Sequence, residues 1–276
     1  MKAVLKALLQ DKVGRWGLFG VLLIIFLAVM APVLSPYDPL DVDTSMRLTA
    51  PSGRFYMGTD FLGRDVFSRI LFGARVSIYV GLISVSIGAG FGFIFGLAAG
   101  FSGGKTDNLI MRFMDVLFAF PSVLLALLIV SVLGSDIRNT MIAIGVVFIP
   151  VFTRTVRASV ISVKTMDYVE NARTVGVRPI WIIIRHIIPN TMAPFLVQTT
   201  LALSSAILTE STLSFLGLGV PPPNPSWGAM LSESRRFMEL APWTAIFPAV
   251  FIIFTILAFN ILGDSLRDVL DPKLKI

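Results

Sequence analysis

The stretch AGFSGGKT, residues 99–106, has the Gly-Lys-Thr ending of a phosphate-binding loop, with alanine where that motif usually has its first glycine. A working phosphate loop joins a buried strand to a helix, so that backbone N–H groups converge on the phosphates. The residues before it form a long apolar run in which small side chains recur at every fourth position: Ser84, Gly88, Gly92, Gly96 and Gly100. That spacing predicts a helix with one face open to close packing. We therefore interpret AGFSGGKT as a glycine-rich turn between two helices, without ATP.

Other side chains that commonly do chemistry are scarce. The chain has one histidine, His186, beside Arg185, and no cysteine. A thiol nucleophile is excluded, and a Ser-His-Asp set or a transition-metal site is disfavoured. We expect no catalytic residue, no metal ligand and no cofactor in this chain, and we interpret His186 as a structural or interface residue.

Glu210 lies within an apolar run, where an ionisable group is costly and is a functional candidate by default. Two interpretations remain open: burial against an arginine or a backbone group of another helix, and a part in gating or substrate passage. Polar residues at spacings of seven, four and three fall along one side of the same helix. Such a stripe either lines a water-filled route or makes hydrogen bonds between helices. The candidate pathway-lining residues are Gln198, Ser205, Thr209, Glu210 and Thr212.

The composition indicates which elements hold these residues. The chain has 276 residues, of which 55% are hydrophobic and 14% charged; soluble domains carry about 25% charged residues. The apolar residues form runs near the roughly 20 residues that cross a bilayer. We predict an all-α polytopic membrane protein with six transmembrane helices, at residues 16–34, 76–100, 116–133, 139–152 with flanks, 192–216 and 243–263.

The positions of basic residues predict the orientation. Six spans place both termini on one side, and the basic residues Lys2, Lys6, Lys12 and Arg15 precede the first span. With the termini in the cytoplasm, 15 lysines and arginines fall on inner segments and 8 on outer segments. In a membrane protein the location of the charges matters more than the net charge of +6, and we expect membrane lipid and no nucleic acid as a partner.

Two long outer segments are predicted. Residues 35–75 end in an amphipathic stretch, RDVFSRILFGARV, that we expect along the membrane interface. The segment after residue 216 has a proline cluster, which predicts an ordered loop.

The most informative segment is predicted to be cytoplasmic. Residues 170–175 have helical character, Gly176 ends that helix, and Arg178 and Pro179 begin a second one. The second helix carries Trp181, Ile184 and Ile188 on one side. A self-contained protein has little reason to expose such a surface, so we expect a docking partner.

These residues resemble the EAA loop of bacterial ABC-transporter permeases, in which the matching positions are Glu170, Asn171, Ala172, Gly176 and Pro189. Asn171 replaces the usual alanine, and His186 the usual isoleucine. The stretches MGTDFLGRDVFSRILFGARVS, RFMDVLFAFPS, LSFLGLGVPPPNPSWGAML and AFNILGDSLRDVLDPKL resemble the dipeptide/oligopeptide/nickel permease group, in its second-permease subfamily.

The resemblance implies a type I importer permease fold. It divides the chain into residues 1–75, an N-terminal transmembrane helix with its outer segment, and residues 76–276, a core of five transmembrane helices with a coupling loop at 159–190. It implies four partners: a homologous second permease, two ATP-binding subunits that hold ATP and magnesium, and an extracytoplasmic binding protein. The implied ATPase-coupling residues are Glu170, Asn171, Ala172, Gly176, Arg178 and Pro189.

The function implied is half of a translocation pathway for di- or oligopeptides in the bacterial inner membrane. Nickel or a metal complex is the alternative cargo within the same group. An ion-coupled secondary transporter is a rival class that would use Glu210, and the lack of a nucleophile, base or metal cluster disfavours a membrane enzyme.

Overall fold

The computed structural model describes residues 7–270. Lys2, Lys6, Lys273 and Lys275, which we predict on the cytoplasmic side, lie outside the described residues. Within residues 7–270 every regular element is helical, and the one β-type pairing is an isolated antiparallel bridge between Thr59 and Asp65. The all-α prediction is confirmed.

The main helices are named in chain order. They are α1 (Lys12–Val29), α2 (Ala31–Leu34), α3 (Val66–Ser102), α4 (Gly104–Phe118), α5 (Ser122–Leu133), α6 (Ile137–Lys164), α7 (Asp167–Thr174), α8 (Pro179–Ile182), α9 (Ile188–Phe215), α10 (Trp227–Ser234) and α11 (Trp243–Leu270). A 3-10 turn covers Thr44–Met46, and a π-helical segment, Ile183–Ile187, joins α8 to α9.

In the part of the chain that the structure describes, five helical segments are long and apolar enough to cross a membrane: α1, α3, α6, the continuous stretch from α8 to α9, and α11. The predicted third span at 116–133 differs in shape, because α4 and α5 meet at an angle of 88°. Pro121 explains the break, since proline has no N–H and disfavours a helical residue before it. The apolar helix α5 has only 12 residues, about 18 Å against a hydrocarbon core of roughly 30 Å.

The predicted small-residue face of α3 is confirmed, and it packs α3 against α6. A Cβ atom on Gly92 would lie 2.4 Å from Cβ of Phe152, and one on Gly100 would lie 2.8 Å from Cβ of Val160. The paired residues rise together in number, so the two helices run parallel. The chain returns between them through α4 and α5.

Two ends of the bundle can now be named. The basal end contains the C-termini of α3, α6 and α11 together with residues 165–189, and the apical end contains residues 35–65 and 216–242. A Cβ atom on Gly14 would touch Ser265, and one on Gly20 would touch Ala258. Because α1 therefore runs antiparallel to α11, residues 12 and 270 lie at the same, basal, end.

Helix α3 begins earlier than the sequence indicates. The stretch RDVFSRILFGARV, which we expected along the interface, forms the first turns of this continuous helix, and Val66, Ile70 and Ala74 are buried. An apolar face that packs inside the protein has the same periodicity as one that lies on lipid, which explains the error. The division predicted between residues 75 and 76 falls within α3 and remains a prediction.

Candidate functional site

The basal loop, residues 165–189, holds the predicted docking segment. Helix α7 ends in a Schellman motif: the N–H of Gly176 donates to the carbonyl of Arg173 at 3.0 Å, and that of Val177 to the carbonyl of Ala172 at 3.0 Å. The motif needs a left-handed residue, and Gly176 has φ +82°. The helix break predicted at Gly176 is therefore confirmed.

The basal loop has a buried side and an exposed side. Val169, Ile182 and Ile187 are buried and pack with three valines of α6. The opposite side exposes large apolar groups: Val175 (82% exposed), Ile180, Trp181 and Ile184. Of the residues implied in ATPase coupling, Ala172 is half-buried, whereas Glu170, Asn171, Gly176, Arg178 and Pro189 are exposed.

Aromatic and basic side chains interact along this loop. The ring of His186 lies 5.9 Å from that of Tyr168, and the Arg185 guanidinium lies 4.7 Å from the Trp181 ring. His186 is half-buried and directly follows an exposed arginine, a setting that suits a structural or interface residue. Ile188 is also half-buried, so Trp181 and Ile184 are the exposed members of the predicted apolar set.

Glu210 lies at the centre of a buried hydroxyl cluster. It is 0% exposed, the Ser214 hydroxyl donates to Oε1 at 2.7 Å, and the Ser77 hydroxyl of α3 donates to Oε2 at 3.0 Å. The Ser214 oxygen also accepts from the N–H of Val220 at 3.1 Å. The carboxyl group therefore joins α9 to α3 directly, and through Ser214 it is linked to Val220 at the apical end. Its partners are hydroxyl groups, whereas the sequence had suggested an arginine or a backbone group.

The other polar residues of α9 separate into two environments. Thr209 is buried, whereas Ser205 is exposed and Thr212 is half-buried. The hydroxyls of all three donate to carbonyl groups one turn earlier in the same helix. Gln198 lies near the basal end, at a cleft of about 790 Å³ that Pro189 and Arg267 also line. The structure thus places Gln198 on a cleft and Glu210 in the core.

The apical loops close on each other through a buried charge network. Arg64 lies 2.6 Å from Asp60 and 2.7 Å from Glu233, and Arg69 lies 3.0 Å from Glu233. Arg69 is 1% exposed and Glu233 is 25% exposed. At the start of α3, burial raises the pKa of the Asp65 carboxyl above its ordinary value, and hydrogen bonds from Ser68 offset only part of this increase. The network links residues more than 160 positions apart.

Aromatic side chains complete the apical closure. Trp227 is fully buried, and its indole N–H donates to the carbonyl of Ile70 at 3.0 Å. The indole N–H of Trp243 donates to the carbonyl of Thr59 at 3.1 Å. The rings of Phe61 and Phe237 stack with centroids 5.5 Å apart. The two apical loops therefore form one ordered surface, as predicted for the loop after residue 216.

The stretch AGFSGGKT forms the corner between α3 and α4. Its preceding segment is the helix α3, as predicted, and the turn is confined to Gly103 and Gly104, with φ values of +66° and +55°. Among residues 7–270, no group of three or more histidine, aspartate or glutamate side chains has a metal-binding arrangement.

Residues 92–276 match the family model described as the binding-protein-dependent transport system inner membrane component. The chain belongs to this family. Residues 1–51 match the N-terminal transmembrane domain of oligopeptide transport permease C. The chain is therefore a multi-pass inner membrane permease of the ABC-transporter type, with the type I importer fold.

Curated relatives cover nearly the whole chain. The dipeptide transport system permease protein of Alkalihalophilus pseudofirmus is 44% identical over 98% of this chain and 89% of its own. The di/tripeptide transport system permease protein of Pseudomonas aeruginosa is 45% identical over 100% of this chain and 93% of its own. The glutathione transport system permease protein of Pectobacterium atrosepticum is 47% identical over 94% of this chain and 86% of its own. All three are named as transport permeases.

Sequence reasoning missed two sets of contacts. Arg64 and Arg69 entered it only as outer charges, because their partner Glu233 is distant in the chain. The position of Arg69 amid the apolar residues of VFSRILFGARV was the available signal of its burial. The second set is formed by the Phe101 ring with Lys164 and Arg173. Phe101 gave no signal in the sequence, since a phenylalanine in a membrane helix is ordinary.

Proposed function

We propose that this permease forms half of a pathway for short peptides and that the basal loop receives its driving force from ATP-binding subunits. The observation that carries the proposal is the exposed apolar side of the basal loop, which includes Val175. The Schellman motif at Gly176 fixes the backbone next to this residue. Loss of that much apolar surface from water strongly favours association with a partner.

The orientation follows from the same proposal. The basal end faces the cytoplasm, with both termini, and the apical end faces the binding protein. ATP and magnesium bind in the ATP-binding subunits, so this chain needs no cofactor. The second permease faces the side of α9 that carries Gln198, Ser205 and Thr212, and the peptide pathway runs between the two permeases. Re-orientation of the helices opens this pathway alternately to each side of the membrane.

Short peptides are the proposed cargo. The three relatives described above are named for dipeptides, di- or tripeptides and glutathione, which is itself a tripeptide. These names favour peptides over nickel or a metal complex. The buried position of Glu210 between hydroxyls supports a structural role for it, and it gives little support to an ion-coupled carrier.

The test is uptake by the complete complex, with both permeases, the ATP-binding subunits and the binding protein, in proteoliposomes. A labelled dipeptide is expected to enter with ATP inside, and a protonophore is expected to leave uptake unchanged. A Gly176→Pro variant, which cannot adopt φ +82° and loses the N–H donor, is expected to insert normally and to lose uptake. Uptake that needs a proton gradient and no ATP, or a fully active Gly176→Pro complex, would refute the proposal.

A further inference from the structure

The corner between α3 and α4 is tied to the basal loop through Phe101. The ammonium of Lys164, at the end of α6, lies 5.7 Å from the centre of the Phe101 ring, and the guanidinium of Arg173, in α7, lies 5.8 Å from it. Both distances are within the range of cation–π attraction. One aromatic ring thus contacts cations from two different elements.

The backbone of Phe101 is held as well. The ammonium of Lys164 donates to the Phe101 carbonyl at 2.6 Å. This carbonyl belongs to the last turn of α3, where a cation is favourable because carbonyl groups lack helical partners. The hydrogen bond does not depend on the side chain at position 101. Substitution of the ring therefore removes the two ring contacts and leaves the link between α3 and α6.

A cleft separates the α3–α4 corner from helix α7. The cleft has a volume of about 550 Å³ and is lined by Gly100 and Gly103 at the corner and by Glu170 and Arg173 in α7. The buried contact of α7 is Val169, which packs toward the valines of α6. Phe101 packs against the same apolar cluster, and the contact of its ring with Arg173 adds a further link between α7 and the end of α3.

The two glycines of the corner have no close neighbours among the described residues. A Cβ atom placed on Gly103 or Gly104 would meet no atom within 4 Å. Helix α4 begins at this corner and is held to α6 by a paired contact, in which Arg157 donates to both carboxylate oxygens of Asp107, at 2.5 and 2.6 Å. The far end of α4 meets α5 at the 88° bend. A displacement of the corner therefore moves a helix that leads directly to an apolar membrane segment.

We infer that Phe101 is a positioning residue that transmits displacement of the basal loop to the α3–α4 corner through Arg173 and Lys164. The inference rests on the proposed function, because it takes the basal loop as the part that the ATP-binding subunits move. It adds a second route from the loop into the bundle, through α3 and α4, beside the covalent connections to α6 and α9.

Two substitutions at position 101 separate transmission from folding. Phe101→Leu keeps an apolar side chain and removes the ring, and Phe101→Tyr keeps the ring. In the reconstituted complex, Phe101→Leu is expected to lower peptide uptake about fivefold, the scale of losing two cation–π contacts. The rate of ATP hydrolysis in the absence of peptide is expected to stay within about twofold of the parent rate. Phe101→Tyr is expected to retain uptake within about twofold.

A distance measurement tests the mechanical part. The chain has no native cysteine, so Ser102 and Thr174, both exposed, can be replaced by cysteine and spin-labelled in the assembled complex. The label separation is expected to stay the same with and without ATP in the parent and Phe101→Tyr chains, because corner and loop move together. In Phe101→Leu it is expected to change on ATP addition.

The outcomes divide clearly when Gly176→Pro is measured in parallel. Loss of uptake in Gly176→Pro with full uptake in Phe101→Leu would overturn the inference and leave the proposed function standing. Full uptake in both would overturn both. A label separation that changes with ATP in the parent chain would also overturn the inference, because corner and loop would then move independently.

Discussion

The apical and basal ends are both built largely from chain outside the membrane helices, and they differ in how far their tryptophan side chains are buried. At the apical end Trp227 is fully buried and Arg69 is 1% exposed, with Glu233 beside it. At the basal end Trp181 is 46% exposed and Val175 is 82% exposed. The apical loops bury an aromatic ring and a charge network within this chain, whereas the basal loop exposes Trp181 and Val175.

The two tryptophans give the largest expected contrast. Trp227→Ala removes a buried ring and a hydrogen bond, and we expect the free energy of unfolding to fall by about 3 to 5 kcal/mol. Trp181→Ala, at the basal loop, is the matched control and should change it by no more than about 1 kcal/mol. Thermal unfolding of the purified permease, followed by tryptophan-independent dye fluorescence, measures both. Equal losses would remove the distinction between the two ends.

The arginines give the second contrast. Arg69→Met leaves Arg64 as the only cation that pairs with Glu233 and Asp60 in the apical network. We expect the free energy of unfolding to fall by about 3 kcal/mol, the lower end for a broken buried ion pair. Arg178→Met, at an exposed position of the basal loop, should be nearly neutral for stability. The same melting assay compares them. An Arg69→Met protein as stable as the parent would show that the apical network contributes no net stability.

The glycines give the smallest effect on stability and sharpen the functional side. Gly176→Ala places a side chain at φ +82° in open space, so we expect a cost of only about 1 to 2 kcal/mol from the backbone. Gly53→Ala in the apical loop, also in open space but without a positive φ, is the control. Uptake should fall in the first variant and remain in the second. Unchanged uptake in Gly176→Ala would mean that the shape of this turn does not matter for coupling.

The sequence predicted the features that depend on local periodicity. The small-residue face at Gly92 and Gly100, the break at Gly176 and the helical class all follow from spacing and backbone preference. The 88° bend at Pro121 was accessible to the same reasoning, but the apolar run continued through it and hid the break. The stripe on α9 was read from one helix alone, so the burial of Glu210 beside Ser77 of α3 was not visible.

Contacts between distant segments were beyond reach for a single sequence. Glu233 meets Arg64 and Arg69 only because α10 folds back over the start of α3. Phe101 meets Arg173 only because α6 carries the basal loop alongside the end of α3. In both cases the chemistry is ordinary and the position comes from tertiary packing, which no short motif records.

The central claim is that the basal loop is the site at which an ATP-binding partner drives this permease. A photo-crosslinking amino acid at Val175 in the intact membrane complex tests it most directly, with the exposed apical residue Val42 as control. The account predicts a covalent adduct of position 175 with the ATP-binding subunit and none of position 42 with that subunit. Adducts of position 175 with lipid alone, or with the extracytoplasmic binding protein, would contradict it.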